Sequence, residues 1–558
     1  MHRAMVLLRR ATLLLICLVP MLTLFHRNET GLWVRNTSAF ISPDEFSYLL
    51  TAENIAAGRG IVLRNLPADS FYPPGLSALL ALWGKWFGFS IFSMHVCIVA
   101  QQCVAVALAY LLIGAMLARP RPMFLHAWIP LLLTAVYATS WYLLENACSI
   151  FGEPAFTCVT LLWLLIALRK PRWWQQPRWA FAMAALAVAA TSIRSAGIIC
   201  VAVTFLFPLV DWLLHARRER PRAFSRLLAA LGICAAVTLA YYAVIQTIAP
   251  QKGVATTSGN SYTRQLLRGL TDDDRIPYYN LPALAENLAK ICIPHFYTFA
   301  QLFCPPPRED AAFNIPRMGV YNVLARCLLA LALAGWLFDL LARRPNRSMF
   351  IPMYICFYVG LYSIWPFDFV RFWVPIFPPL LAYMWETIAA GPRRGTKLPR
   401  IAQPLGTAMC LLLVLLNAQE IFFQLPYYQR RLNYVSDCLA GAASAIQKDG
   451  GDPRRDIVAS GDPFLYAYYT RFPQSVLPPP DPPSRGPDIC HTETLFIQQS
   501  VADALSKSSH MRIYLPAYFP PDFYPRLTAD IAAALPPAYQ IRQIYKQEMV
   551  TLWVVKPR

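Results

Sequence analysis

The sequence predicts a polytopic α-helical membrane protein of about eleven transmembrane helices, followed by a small extracytoplasmic C-terminal α/β domain. Three observations lead there. Of 558 residues, 56% are hydrophobic and only 15% charged, with a mean hydropathy of +0.39, whereas a soluble chain of ordinary composition carries about 25% charged residues. Apolar runs near 20 residues recur along most of the chain, long enough to cross a hydrocarbon layer about 30 Å thick. The formal charge of +19 is concentrated in short connectors between those runs, so it belongs to one membrane face and not to a nucleic-acid partner.

In chain order the runs fall near residues 8–26, 92–118, 126–144, 151–168, 179–193, 196–214, 227–249, 319–341, 349–366, 372–390 and 403–423. Between them lie Arg119 and Arg121; Arg169, Lys170, Arg172 and Arg178; Arg217, Arg218, Arg220, Arg222 and Arg226; Arg343, Arg344 and Arg347; and Arg393, Arg394, Lys397 and Arg400. Together with Arg3, Arg9 and Arg10 these segments hold 21 of the 50 basic residues and a single acid, Glu219. Eleven spans place all of them on one side, which the positive-inside rule makes cytoplasmic. The N-terminus is then inside, the C-terminus outside, and the first run, which lacks a small-residue cleavage site, is an uncleaved anchor. A twelfth span at Pro73 to Gly88 would break this sidedness. That run is short and carries Lys85, so it is expected as an interfacial or re-entrant helix.

This topology divides the chain into a membrane domain, residues 1–425, with external loops at 27–91 and 250–318, and a soluble α/β domain, residues 426–558. In the latter, Arg455 to Ser460, Met511 to Leu515, Tyr539 to Tyr545 and Val550 to Val555 predict strands, while Asp462 to Tyr469 and Leu527 to Leu535 predict helices. The Pro-rich stretch Leu477 to Pro487 excludes a central strand. Of fourteen cysteines, Cys292, Cys304, Cys438 and Cys490 are external and available for disulfides in an oxidising compartment. The long loop opens on Thr256-Thr257-Ser258-Gly259-Asn260 and is expected to fold over the site as a lid.

The candidate chemistry lies at the external ends of the apolar runs. Asp44 and Glu45, in Ser42-Pro43-Asp44-Glu45-Phe46, open a helical stretch and sit close to the headgroups. Glu153, in Gly152-Glu153-Pro154, stands at the start of a span, where the helix dipole favours an ionised carboxylate. Arg194 separates two short apolar stretches. Arg371, in Phe369-Val370-Arg371-Phe372-Trp373, lies in a short aromatic turn suited to bidentate phosphate contact. Tyr72, in Phe71-Tyr72-Pro73-Pro74, and Arg264, in the long loop, are assigned to substrate binding. No nucleotide-binding loop and no zinc-ligand spacing is present.

Pro43-Asp44-Glu45, Ala57-Gly58-Arg59-Gly60, Tyr72-Pro73-Pro74, Gly152-Glu153-Pro154, Thr191-Ser192-Ile193-Arg194 and Arg371-Phe372-Trp373-Val374-Pro375, in this order and on one side, resemble the GT-C fold of polyprenyl-phosphate-sugar-dependent glycosyltransferases. The similarity is to the branch of protein O-mannosyltransferases and aminoarabinose transferases. It implies a membrane glycosyltransferase that moves a sugar from a polyprenyl-phosphate donor to an extracytoplasmic acceptor (glycan, lipid or protein) in the cell envelope, with inversion. It further implies Asp44 as base, Glu45 or Glu153 placing acceptor or sugar hydroxyls, and Arg371 and Arg194 at the phosphate. A divalent metal between Asp44 and Glu153 is the arrangement of the oligosaccharyl branch; no metal or other cofactor is expected here. Residence in a bacterial inner membrane is the corresponding localisation. A transporter would instead place charges at the bilayer midplane and show repeat symmetry, and a membrane-anchored assembly protein would put the work in the terminal domain.

Overall fold

The computed structural model describes residues 2–27, 33–35, 43–61, 73–117, 124–215, 220–248, 296, 298–303, 316–341, 349–363, 370–390, 399–452, 456–460, 474–476, 512–517, 539–547 and 550–557. Each of the eleven apolar runs is helical over most of its length. In chain order these helices are α1 (His2–Leu18), α2 (Pro43–Ala56), α3 (Gly75–Phe87), α4 (Ile91–Leu117), α5 (Phe124–Thr139), α6 (Trp141–Ala147) and α7 (Glu153–Arg169). They continue as α8 (Pro177–Ile193), α9 (Ile198–His215), α10 (Arg220–Ile248), α11 (Pro316–Leu341), α12 (Phe350–Ser363), α13 (Phe377–Ala390) and α14 (Pro399–Lys448). Among the described residues five helical segments are long and apolar enough to cross a membrane: Ala4–Leu24, Ile91–Leu117, Ser195–Leu214, Ala223–Val244 and Val323–Leu341. Trp128–Thr139, Pro177–Ile193, Phe350–Ser363 and Gln403–Gln419 are apolar but shorter.

The bundle centres on α4 and α7, which pack along each other, with α5 and α13 against α4 and with α8 and α12 against α7. Apolar composition on all sides, which a soluble helix would not tolerate, is what an embedded bundle requires. Large rings fill the interior: Trp163 lies 4.3 Å from Phe350 and 5.5 Å from Tyr354, centroid to centroid. Leu239, Leu337, Leu415 and Phe422 point outward.

The structure corrects three of the expected elements. The run 126–144 is not one helix, because Ser140 adopts φ −57°, ψ 129° and begins the separate short helix α6. The run 372–390 starts as a 3-10 segment, Val370–Ile376, since Pro375 and the two prolines that open α13 withhold backbone donors. The run 403–423 is the start of a helix of 50 residues that continues without interruption through position 425 and through Pro426. At 1.5 Å per residue it is about 75 Å long, so it carries the chain from the bundle to the terminal sheet.

Helix α3 occupies the segment excluded from the span count. Its 13 residues reach about 20 Å, too short to span. Leu76, Ser77, Leu80, Ala81 and Gly84 are buried, while Leu82, Trp86 and Phe87 are exposed. Its first residue abuts the end of α8: a Cβ at Gly75 would lie 2.6 Å from the Ser192 carbonyl oxygen. Gly75→Ala is therefore expected to lower stability by about 1–3 kcal/mol through overpacking. Gly114→Ala in α4, where a Cβ meets nothing within 4 Å, should be neutral or stabilising. Thermal unfolding of both variants in detergent checks the contrast, and equal midpoints would refute the close approach.

Strands β1 (Phe25–Arg27) and β2 (Trp33–Arg35) form an antiparallel pair after the first span. The C-terminal sheet comprises β3 (Ile457–Ser460), β4 (Gln474–Val476), β5 (Ile513–Ala517), β6 (Tyr539–Gln547) and β7 (Val550–Pro557), in the order β4-β3-β5-β7-β6. β4, β3 and β5 are parallel, and β7 and β6 are antiparallel. Four of these match the expected strands. β4 is an addition to the expected strands: it has three residues, sits at an edge just ahead of the Pro-rich stretch, and is too short for alternation to register. The helices expected at 462–469 and 527–535 lie outside the described residues. α14 holds the sheet: Asp449, just past its end, bridges Arg542 and Arg512, and the Arg512 guanidinium donates to the Asp449 carbonyl at 2.6 Å. Cys438, a disulfide candidate, is buried on α14; Cys292, Cys304 and Cys490 lie outside the described residues.

Candidate active site

Glu153 is the first residue of α7, with Gly152 as N-cap and Pro154 in the first turn. Gly152 packs on the end of α8: a Cβ there would lie 3.4 Å from Arg194 Cγ and 3.4 Å from the Ile193 carbonyl. The Glu153 carboxylate is only 2% exposed, at the positive end of the α7 dipole. Arg194 is the C-cap of α8 in extended conformation, φ −142°, ψ 139°. This break turns its side chain onto Glu153.

Arg371, in the 3-10 segment, approaches from the other side. Its Nε lies 3.4 Å from Glu153 Oε1, the same oxygen that Arg194 Nη1 contacts. Both arginine side chains are 20% exposed. The trio of two guanidiniums and one carboxylate sums to a charge of +1. Aromatic faces hold it: the Arg371 guanidinium carbon lies 4.3 Å from the Phe151 ring centroid and 5.5 Å from that of Phe372, and Arg194 lies 5.0 Å from Phe372. Phe372 is fixed in turn by Tyr358, whose hydroxyl donates to the Phe372 carbonyl at 2.6 Å, and by Tyr362, stacked at 5.2 Å.

Glu45 also reaches this place, by a different route. It lies on α2, fully buried, and its Oε1 accepts the Ile150 N–H at 2.6 Å. Asp44 precedes it in the first turn of α2; its side chain, together with Tyr72 and Arg264, lies outside the described residues. The structure thus brings Glu45, Glu153, Arg194 and Arg371 around one turn, residues 148–153.

Neighbours that the sequence did not flag are Ile150, through its backbone, Phe151 and Phe299. Phe299 stacks on Trp373 at 4.4 Å with an interplanar angle of 19°, and Tyr142 donates to Gln301 at 2.9 Å. Phe299, Ala300, Leu302 and Phe303 are buried. The end of the long loop is therefore anchored beside the arginine turn; residues 251–295 and 304–315 lie outside the described residues. A Phe in an aromatic-rich chain gives no sequence signal for such a role, whereas the Glu-Pro and Arg-Phe-Trp junctions did.

No family model and no curated protein matches this sequence. Solved structures do match its fold. ArnT from Cupriavidus metallidurans bound to undecaprenyl phosphate aligns over 99% of this chain and 98% of its own, with a TM-score of 0.56 and 13% identity. Its apo state gives 0.55 and 12% over the same coverage. The archaeal oligosaccharyltransferase AglB from Archaeoglobus fulgidus, in complex with an inhibitory peptide and a dolichol-phosphate, aligns over 91% of this chain and 69% of its own, with a TM-score of 0.50 and 12% identity. The chain thus shares its overall fold, the GT-C fold, with these structures.

Proposed function

We propose that this protein is a glycosyltransferase that moves a sugar from a polyprenyl-phosphate donor to an acceptor hydroxyl outside the cytoplasm, inverting the anomeric carbon. The observation that carries the proposal is the convergence of Arg194 and Arg371 on Glu153 at helix ends, in a turn that Glu45 ties to α2. Two cations holding one phosphate stabilise the charge that develops on it as the sugar leaves. The acceptor oxygen forms its bond to the anomeric carbon, the bond from that carbon to the phosphate oxygen breaks, and Asp44 takes the acceptor proton. The leaving group is the polyprenyl phosphate, whose chain stays in the bilayer. Tyr72 and Arg264 are assigned to substrate.

The reaction is proposed to run without a bound metal. Support comes from Glu153, whose carboxylate is already engaged by two guanidiniums and is poorly placed to ligate a divalent cation as well. The proposed topology has eleven spans, a cytoplasmic N-terminus, and residues 426–558 as an external α/β domain of a bacterial inner-membrane protein acting on an envelope glycan, lipid or protein. Impermeant thiol labelling should mark positions 44, 153, 371 and the C-terminus from outside and positions 121, 218 and 394 only after permeabilisation. A cytoplasmic C-terminus would overturn the proposal.

Incubating purified protein with a panel of polyprenyl-phosphate sugars and analysing the products tests the activity; no transfer from any member would refute it. Arg371→Lys provides a residue-level test. Lysine keeps the charge but loses the planar fork and the fit over Phe151. Undecaprenyl phosphate is expected to bind about tenfold to hundredfold more weakly, the loss of one hydrogen bond to a charged group. Unchanged binding in Arg371→Ala would remove Arg371 from the phosphate site.

A further inference from the structure

We propose that Glu45 is a positioning residue and not a proton acceptor: its carboxylate anchors the turn 148–152 and so sets the spacing between Asp44 and the two arginines. The proposal rests on the transfer reading above. Glu45 has no solvent exposure, and neither do Phe46 and Ala52 of the same helix, with Leu49 1% exposed. α2 is embedded through that face, so Glu45 cannot meet an acceptor hydroxyl without withdrawal of the helix from the core. Its Oε1 instead accepts the Ile150 N–H at 2.6 Å, inside the protein.

What that hydrogen bond fixes is the site itself. Ile150 is fully buried, Phe151 supplies the ring under Arg371, Gly152 caps α7, and Glu153 pairs with both arginines. Loss of this buried hydrogen bond strands a backbone donor. Consecutive helical positions are about 100° apart. A helix phase that commits position 45 to this anchor therefore directs position 44 elsewhere. The adjacent acids take different tasks because one helix cannot aim both at one atom.

Four proteins test this: wild type, Glu45→Gln, Glu45→Ala and Asp44→Asn. Glutamine retains a carbonyl that can accept the Ile150 N–H; alanine does not. Glu45→Gln is expected to keep kcat within about tenfold, with the wild-type pH–rate profile. Glu45→Ala should lose roughly a hundredfold in kcat, as for a reacting group displaced by about 1 Å. In hydrogen–deuterium exchange the segment 148–153 should exchange faster in Glu45→Ala only. Glu45→Gln as inactive as Asp44→Asn, or with a displaced basic or acidic limb, would make Glu45 the proton acceptor and overturn the proposal. Unchanged exchange of 148–153 in Glu45→Ala would overturn it equally. If wild type transfers no sugar from any donor, the transfer reading fails, and the exchange measurement alone decides whether Glu45 is the anchor.

Discussion

Asp44→Asn is expected to lower sugar transfer by about 100- to 10,000-fold, the usual contribution of a general base, while leaving the protein folded. Asparagine keeps the shape and the capacity to cap the first turn of α2, so a purely structural role predicts little change. Position 44 lies at the start of α2, one residue from the buried Glu45 that ties this helix to the Glu153 turn. A helix start favours a carboxylate through its dipole, and the turn to which Glu45 ties this helix carries Glu153, which pairs with Arg194 and Arg371. Initial rates with a saturating polyprenyl-phosphate sugar, together with the thermal midpoint, separate the two roles. Near-normal turnover in a folded Asp44→Asn protein would return Asp44 to the status of a helix cap.

Much of the bundle is legible in the sequence because a membrane imposes a simple rule: about 20 apolar residues, helical, with bases gathered at one end. The breaks are less legible. Ser140 is a small residue within an apolar run, and only its extended backbone separates α5 from α6. Pro426 reads as a stop, yet α14 passes through it. Of the site, the sequence offers sidedness but not distance: Glu153, Arg194 and Arg371 each sit at the end of an apolar run on one expected face. That two guanidiniums meet one oxygen depends on how α7, α8 and the 3-10 segment pack. The functions of neighbouring acids depend on helical phase, which composition does not carry; sequence places Glu45 with the chemistry, while its burial and its hydrogen bond to the Ile150 N–H are visible only in the fold. Phe299 gave no signal because its partner Trp373 is brought to it only by the fold.

Glu153→Gln is the second substitution with a large expected effect, and it should act in opposite directions on binding and on turnover. In the native site one carboxylate holds two guanidiniums, and all three side chains are mostly buried. Removing its charge raises the sum over the trio from +1 to +2. An anion then gains attraction, and undecaprenyl phosphate is expected to bind as tightly as to wild type or more tightly. The two arginines, however, lose the carboxylate oxygen that both contact, and they repel one another. Breaking a buried ion pair on one side costs about 3–5 kcal/mol, which should appear as a lowered thermal midpoint in the absence of ligand and a larger shift when undecaprenyl phosphate is added. A phosphate held by misplaced cations is bound without being activated, because stabilisation counts only where it increases on the way to the transition state. The expected signature is a fall in kcat of at least about a hundredfold with a donor KM that is unchanged or lower. If Glu153 instead contacts the sugar or acceptor, Glu153→Gln should raise the KM for that substrate and leave the affinity for undecaprenyl phosphate alone. Titration with undecaprenyl phosphate and a full kcat and KM determination on the same preparation therefore distinguish a counter-ion that sets the arginines from a residue that touches the substrate.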